Sequence, residues 1–335
     1  MLARNARSVY CTIFDVKHLS RALTLYQSLI DHNKTALFAF ICIDKKSLDL
    51  LNKINLDRAL IFSDDDFLTP ELELARNTRS RGEYCWTCKP LGLKFLAKTI
   101  LHIDWFVYLD ADTMLFSDPD SILPTENFHY VVTPHRFSRD FNCFKALVGN
   151  FNAGYFAVRA SDLGITVIDW WAEQCLNSCS VIPSDDTFAD QKYLNRMPHI
   201  FPFGLSNPPI SLNLGPWNVG DCVVERIESN ILVNESPLVL YHFQGLRILD
   251  CRIIDLYASS RKLRKDVRYI VYSDYLTKLA QSIGLLNRID SSLAGIEVVQ
   301  WPKKWNERFR LLVQFTLGRR NFVWGMQPFF LQPKK

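Results

Sequence analysis

The sequence predicts an α/β fold, a parallel sheet covered by helices, on three observations. Strand-length apolar runs alternate with helix-length amphipathic stretches from Ser8 to Leu109. Ser8–Phe14 is mostly apolar and Ala36–Ile43 apolar throughout rather than alternately polar, as strands covered on both faces are. The stretches between runs are long enough for the crossover helices that parallel strands require.

Ser8–Phe14 reads as a buried strand, and Leu19–Ile30 as a helix because Leu19, Leu23, Tyr26 and Ile30 recur at helical spacing. Ala36–Ile43 is a second strand, Lys46–Ile54 a second helix and Ala59–Ser63 a third strand. Leu91–Ile100 reads as a helix leading into Trp105–Leu109, a strand that ends on acids. This is the Rossmann-like alternation, in which ligands sit outside the carboxyl ends of the strands. Beyond Asp112 the strand-like runs are His129–Thr133, Gly154–Val158 and Leu238–Phe243. Leu163–Leu176 is a helix carrying Trp170 and Trp171, and a Pro-rich loop joins Asn207 to Asn218. With no internal repeat and no low-complexity linker, one domain is expected over 1–260, followed by a basic extension over 261–335.

Hydrophobic residues make up 48% of the 335 and charged residues 22%, which excludes a disordered or collagen-like chain. No apolar run reaches the ~18 residues of a membrane-spanning helix. The N-terminal stretch MLARNARSVYCTIF lacks the apolar segment of a signal peptide. Nine scattered cysteines, an odd number, suit reduced thiols, so a cytoplasmic location is expected, and the basic tail adds the expectation of peripheral attachment to the inner face of the membrane. The net charge of +4 gives no reason to expect nucleic-acid binding. It conceals an asymmetry: residues 261–335 hold 15 basic and 5 acidic residues, against 24 and 30 in residues 1–260.

The sharpest local feature is VYLDADTMLFSDPD, residues 107–120. An apolar strand delivers Asp110 and Asp112 to its carboxyl end, and residues two apart share one side of a strand. Two hard oxygen donors there suit Mg²⁺ or Mn²⁺, and a metal relieves their mutual repulsion. The plain alternative is a solvated turn. Two enzyme classes use such a pair: phosphohydrolases, in which Asp110 would be the nucleophile, and glycosyltransferases, in which the pair holds a metal against a nucleotide diphosphate. In the phosphohydrolase pattern the fifth position is Thr or Val, and here it is Met114.

Five blocks then resemble glycosyltransferase family 8 and its GT-A relatives, in the family's order. They are YLDADTMLFSDPD (108–120), FNAGYFAVR (151–159), ADQKYLN (189–195), LGPWN (214–218) and YHFQG (241–245). The first strand, YCTIFD (10–15), is compatible with the family's nucleotide-binding strand. The resemblance spans about residues 8 to 248. It implies a GT-A (Rossmann-like) fold with a mixed, mostly parallel sheet and a helical basic tail. It also implies a metal-dependent glycosyltransferase that moves a sugar from a nucleotide-diphosphate sugar, a UDP-sugar by preference, with retention of configuration. On the residues alone His242 reads first as a structural imidazole; the resemblance reverses this and makes it the third metal ligand beside Asp110 and Asp112. Likewise the resemblance assigns donor binding to Asp15, Lys89, Asp110, Ala111, Asn152, Ala153, Gly154, Gly245 and Arg247, and to the backbone of Cys11 and Thr12. Arg247 stands where the family has Lys. Asp190 would meet a sugar hydroxyl and Gln191 the anomeric carbon, the two catalytic candidates.

Cys85-Trp86-Thr87-Cys88 has redox-pair spacing but no second ligand pair and no thioredoxin-like context. In WPKKWNERFRLLVQFTLGRRNFVW (301–324), Trp305, Phe309, Leu312 and Val313 form one helical stripe among basic residues. This reads either as a helix packed on the body or as one attracted to anionic lipid. Lipopolysaccharide galactosyl- and glucosyltransferases of the family are similar in having basic, aromatic tails, which implies a glycan or lipid-linked acceptor. A non-catalytic nucleotide-sugar-binding protein of the same fold remains the other reading of these blocks.

Overall fold

The computed structural model describes residues 6–125, 127–250, 253–259, 261–299, 304–316 and 320–324. In chain order the first elements are β1 (Ser8–Phe14), α1 (Leu19–His32), β2 (Leu37–Cys42), α2 (Lys45–Leu51), β3 (Ala59–Ser63), α3 (Pro70–Thr78), α4 (Arg81–Thr99) and β4 (Trp105–Leu109). There follow β5 (Thr113–Leu115), β6 (Tyr130–Pro134), the one-turn α5 (Lys145–Val148), β7 (Phe151–Arg159), α6 (Asp162–Asn177), the one-turn α7 (Met197–Ile200) and β8 (Gly204–Leu205).

Seven strands form the central sheet in the order β3-β2-β1-β4-β7-β6-β8. β1 pairs in parallel with β2 and β4, and β2 with β3, whereas β7 runs antiparallel to both β4 and β6. The sheet is therefore mixed and mostly parallel, as expected. Side-chain alternation along β1 divides the core. Val9, Cys11 and Ile13 pack with α4 and α6, while Tyr10 and Phe14 pack with α1 on the other face.

The helix expected from Leu91 starts ten residues earlier, at Arg81. Ser80 and Glu83 form a reciprocal capping box there, and Pro90 is accommodated inside the helix. This extension carries Cys85 and Lys89 beneath the ends of the strands.

After a small antiparallel sheet of β9 (Val224–Ile227), β10 (Asn230–Val233) and β11 (Ser236–Pro237) comes β12 (Leu240–His242). The run expected as a strand from Leu238 to Phe243 is shortened to these three residues. It joins β5 rather than the central sheet, with His242 opposite Thr113. The remaining elements are β13 (Arg247–Asp250), β14 (Ile253–Asp255), α8 (Lys265–Val267), α9 (Ser273–Ile289), α10 (Trp305–Thr316) and β15 (Phe322–Trp324). Leu263, Val271, Tyr275 and Leu279 share a third core with Met114, Tyr241 and Phe243. β15 pairs with β14, so residues on both sides of position 260 build one small sheet. On α10, Trp305, Phe309 and Val313 are exposed. The side chain of Leu312, residues 301–303 and Gly318 lie outside the described residues. No helix among the described residues is long and apolar enough to cross a membrane.

Candidate functional site

A cleft of about 510 Å³ opens at the carboxyl ends of β1, β2 and β4. Asp110 and Asp112 do not share a strand face; they sit in the turn just after β4. Thr113 closes that turn, its backbone N–H and its hydroxyl both donating to the Asp110 carbonyl at 3.1 and 2.8 Å. The two carboxylates converge because the chain reverses between them, a correction to the reading from strand alternation.

The β5–β12 pairing then delivers His242. The Phe243 N–H donates to the Asp112 carbonyl at 2.8 Å, and the His242 N–H to the Leu214 carbonyl at 2.7 Å. His242 Nε2 lies 3.0 Å from Asp112 Oδ1 and 3.8 Å from Asp110 Oδ2. One ligand atom from each of these three residues lies within 4.8 Å of the others. Two carboxylates and an imidazole so arranged fit Mn²⁺ or Mg²⁺, with substrate oxygens and water completing the shell. Beside this cluster Gly154 allows close approach: a Cβ there would stand 2.6 Å from His242 Nδ1 and 2.7 Å from Asn152 Oδ1, so a larger residue would force one of them to shift. Trp217 closes the other side of the imidazole, edge-on at 5.2 Å between ring centres.

Lys89, 2% exposed, is the buried cation of the site. Its Nζ lies 2.8 Å from Asp110 Oδ1 and 3.0 Å from Asp190 Oδ2. Burial disfavours its charge, but the two carboxylates outweigh this and hold the ammonium well above its ordinary pKa. Burial raises the Asp190 carboxyl in spite of Lys89. Burial would also raise Asp112 and lower His242. Their mutual ion pair wins in both, holding Asp112 well below the carboxylate range and raising His242. The Asp112 carboxylate thus favours the protonated form of the imidazole.

Asp15, Lys89, Asp110, Ala111, Asp112, Asn152, Ala153, Gly154, Asp190, Gln191 and His242 all line this cleft. The remaining candidates do not. Cys11 and Thr12 are buried inside β1 and paired to its neighbours, Gly245 (φ +78°) turns the chain outside the lining, and Arg247 is exposed on β13. Asn152 spends its amide oxygen on the Gly154 N–H at 2.9 Å and on Asn213 Nδ2 at 3.0 Å, so it holds the strand as well as facing the cleft. Asp15 lies 3.0 Å from His18 Nδ1 and 3.7 Å from Arg81 Nε.

Sequence reasoning missed Lys17, His18, Arg81, Trp86, Phe188 and Gln244, which also line the cleft. Arg81 had a findable signal, since it follows the Ser80 cap of the helix that carries Lys89. Burial pushes the Cys85 thiol up to about 12 and Cys88 well above its ordinary value, which disfavours the thiolate that redox exchange requires.

No family model matches the chain. It is similar to the uncharacterized protein YfnF of Bacillus subtilis (strain 168), 26% identical over 290 residues, which is 84% of this chain and 95% of YfnF. YfnD of the same strain is 25% identical over 279 residues, 82% of this chain and 89% of YfnD. Among solved structures the chain resembles the galactosyltransferase LgtC, captured with donor and acceptor sugar analogs. The TM-score is 0.51 at 12% identity, over 89% of this chain and 99% of LgtC. The fold is the GT-A fold of glycosyltransferases, as the ordered sequence blocks implied.

Proposed function

We propose that this protein is a metal-dependent glycosyltransferase. It moves a sugar from a nucleotide-diphosphate sugar, a UDP-sugar by preference, to a hydroxyl of a glycan or lipid-linked acceptor. The observation that carries this reading is the Asp110, Asp112 and His242 cluster at the carboxyl end of the parallel strands, on the floor of an open cleft. The likeness of fold to LgtC supports it.

Asp110, Asp112 and His242 would hold Mn²⁺ or Mg²⁺, which supplies Lewis-acid stabilisation of charge on the departing nucleoside diphosphate. Lys89 fixes the Asp110 carboxylate and ties it to Asp190, so metal and sugar subsites are oriented by one buried cation. Asp190 accepts from a sugar hydroxyl. Gln191, its side-chain N–H donating to the Val148 carbonyl at 3.1 Å, keeps its amide oxygen for the reacting sugar face. Asp15 recognises the nucleoside at the end of β1. Retention of configuration follows from front-face attack by the acceptor. The exposed Trp305, Phe309 and Val313 stripe on the basic C-terminal segment supports peripheral contact with an anionic membrane, and with it a cytoplasmic location.

The test is thermal unfolding with UDP, GDP and CDP, each with and without Mn²⁺, followed by donor hydrolysis. Stabilisation by UDP that requires Mn²⁺ and is lost in Asp112→Asn is the expected result. Hydrolysis of simple phosphate esters with no nucleotide effect would replace this reading with a phosphohydrolase using Asp110. UDP binding without donor turnover would leave a nucleotide-sugar-binding protein.

A further inference from the structure

Residues 138–150 form a shelf that the site so far described does not use. Its backbone is anchored along its length. The Ser138 N–H donates to the Trp217 carbonyl at 2.9 Å, the Arg139 N–H to Asp221 Oδ2 at 3.1 Å, and Lys192 Nζ to the Ala146 carbonyl at 3.1 Å. At its end the Asn150 N–H donates to Asn195 Oδ1 at 2.7 Å. Ser138 and Phe141 are buried, but the middle of the segment faces solvent: Phe144 is 36% and Leu147 46% exposed, and Lys145 is exposed beside them.

Arg261 reaches this shelf from the far side of the chain. Its guanidinium lies 4.5 Å from the centre of the Phe141 ring and 5.2 Å from that of Phe144. The Arg261 backbone is itself fixed, its N–H donating to Ser259 Oγ at 3.2 Å and its carbonyl accepting from Asn321 Nδ2 at 2.8 Å. The side chain's polar contact is a weak one, to Cys143 Sγ at 3.8 Å. Among the described residues, Arg261 and Lys145 form no ion pair with any carboxylate. Asp140, exposed on the same segment, is the local acid, and Asp266 is taken by Arg264. A guanidinium stacked on two rings is oriented by them while keeping its donors for an anion.

The shelf borders the cleft at both ends. At one end Val148 accepts from Gln191, and at the other Tyr257 packs on Phe141, with ring centres 6.1 Å apart. Tyr257 in turn lies against Gly245, next to the cleft-lining Gln244, where a Cβ on the glycine would meet its ring at 3.2 Å.

We propose that the shelf of Phe141, Phe144, Lys145 and Arg261 binds the acceptor by a phosphate group, so that the acceptor is a phosphate-bearing glycan or glycolipid. The proposal deepens the glycosyltransferase reading and rests on it for the word acceptor; the phosphate site itself is measured without it. Arg261 supplies a fork of donors matched to phosphate oxygens and Lys145 a mobile point charge; the buried Phe141 ring helps to seat the guanidinium, and the exposed Phe144 ring covers the apolar face of the attached group.

The experiment is calorimetry on the full chain with glucose 6-phosphate and with glucose, without and with UDP and Mn²⁺, at two salt concentrations. Vesicles of phosphatidylglycerol and phosphatidylcholine, against phosphatidylcholine alone, form the second arm. The expected result is that the phosphorylated sugar or the anionic vesicle binds about tenfold more tightly than its neutral counterpart. The preference should shrink as salt rises. Arg261→Ala with Lys145→Ala should abolish it, while Arg261→Lys keeps part of it. Binding of the sugar phosphate alone identifies a free phosphosugar as the source, and binding of the vesicle alone a lipid headgroup. Equal affinity for charged and neutral probes, or a preference that survives the double substitution in a protein still unfolding cooperatively, overturns the proposal. Absence of any UDP effect with Mn²⁺ refutes the glycosyltransferase reading separately and leaves the phosphate measurement intact.

Discussion

Gly154→Ala tests whether the cluster of Asp110, Asp112 and His242 works as a metal site. The new Cβ would stand 2.6 Å from His242 Nδ1, 2.7 Å from His242 Cε1 and 2.7 Å from Asn152 Oδ1, where ordinary contact begins at 3.4 Å. Relief therefore needs a shift of roughly 0.8 Å or more. Trp217 stands edge-on against the imidazole, and Asn152 is tied to Asn213, so neither neighbour yields freely. Overpacking of this kind costs about 1–3 kcal/mol of stability. A displacement near 1 Å at a ligand is worth about a hundredfold in turnover. The assay is donor hydrolysis across a Mn²⁺ titration, with thermal unfolding in UDP and Mn²⁺ as a binding readout. The variant should fold, unfold a few degrees lower, and lose most of its metal-dependent stabilisation by UDP. Wild-type Mn²⁺ dependence in Gly154→Ala would refute the argument that His242 is a ligand held by the Gly154 backbone.

Lys89→Met should cost about 3–5 kcal/mol in urea unfolding, because it strips the partner from the buried Asp190 carboxylate. Adding Asp190→Asn should recover part of that loss, a coupling read from the double-mutant cycle. Glu297 has its side chain nearly closed off from solvent, and burial pushes its carboxyl up to about 7 in spite of Arg21. The folded state thus holds this proton more tightly than the unfolded chain. Its contribution to stability falls as pH rises from about 4.5 to about 7, by up to ~3 kcal/mol. Glu297→Gln should flatten that slope in unfolding measured from pH 4 to 8, and a slope unchanged by the substitution would rule the group out as its source. Arg247→Ala should change UDP affinity by less than about twofold and stability by less than about 0.5 kcal/mol, since the side chain is exposed outside the cleft lining. A tenfold loss of UDP affinity in calorimetry would restore the diphosphate role that the family resemblance implied.

Much of the first half was legible because its signals are local. The apolar runs that became β1 to β4 needed only their own composition, and Ala59–Ser63 and Trp105–Leu109 coincide with the observed strands. Asp110 and Asp112 were found because a strand ending on acids is visible in one stretch of sequence. Lys89 was named but not understood. An exposed lysine and one buried between Asp110 and Asp190 look alike in sequence, since burial depends on residues 21 and 101 positions away. The helical spacing of Trp305, Phe309 and Val313 on α10 was also legible, because it is a local property, whereas their exposure was not. The Arg261 contact with Phe141 and Phe144 was not, because it joins segments about 120 residues apart.

The sequence by itself determined the layered α/β order, the acidic pair and the blocks that resemble a glycosyltransferase family. Each is carried by neighbours along the chain, through periodicity or short spacing. Tertiary structure alone decided that Asp110 and Asp112 converge through a turn and that β12 leaves the central sheet to pair with β5. It also decided that His242 meets the two carboxylates against Gly154 and that Arg247 is exposed outside the cleft lining. Those outcomes depend on backbone pairing and steric contact between distant segments, whose free energy appears only once the chain has closed on itself.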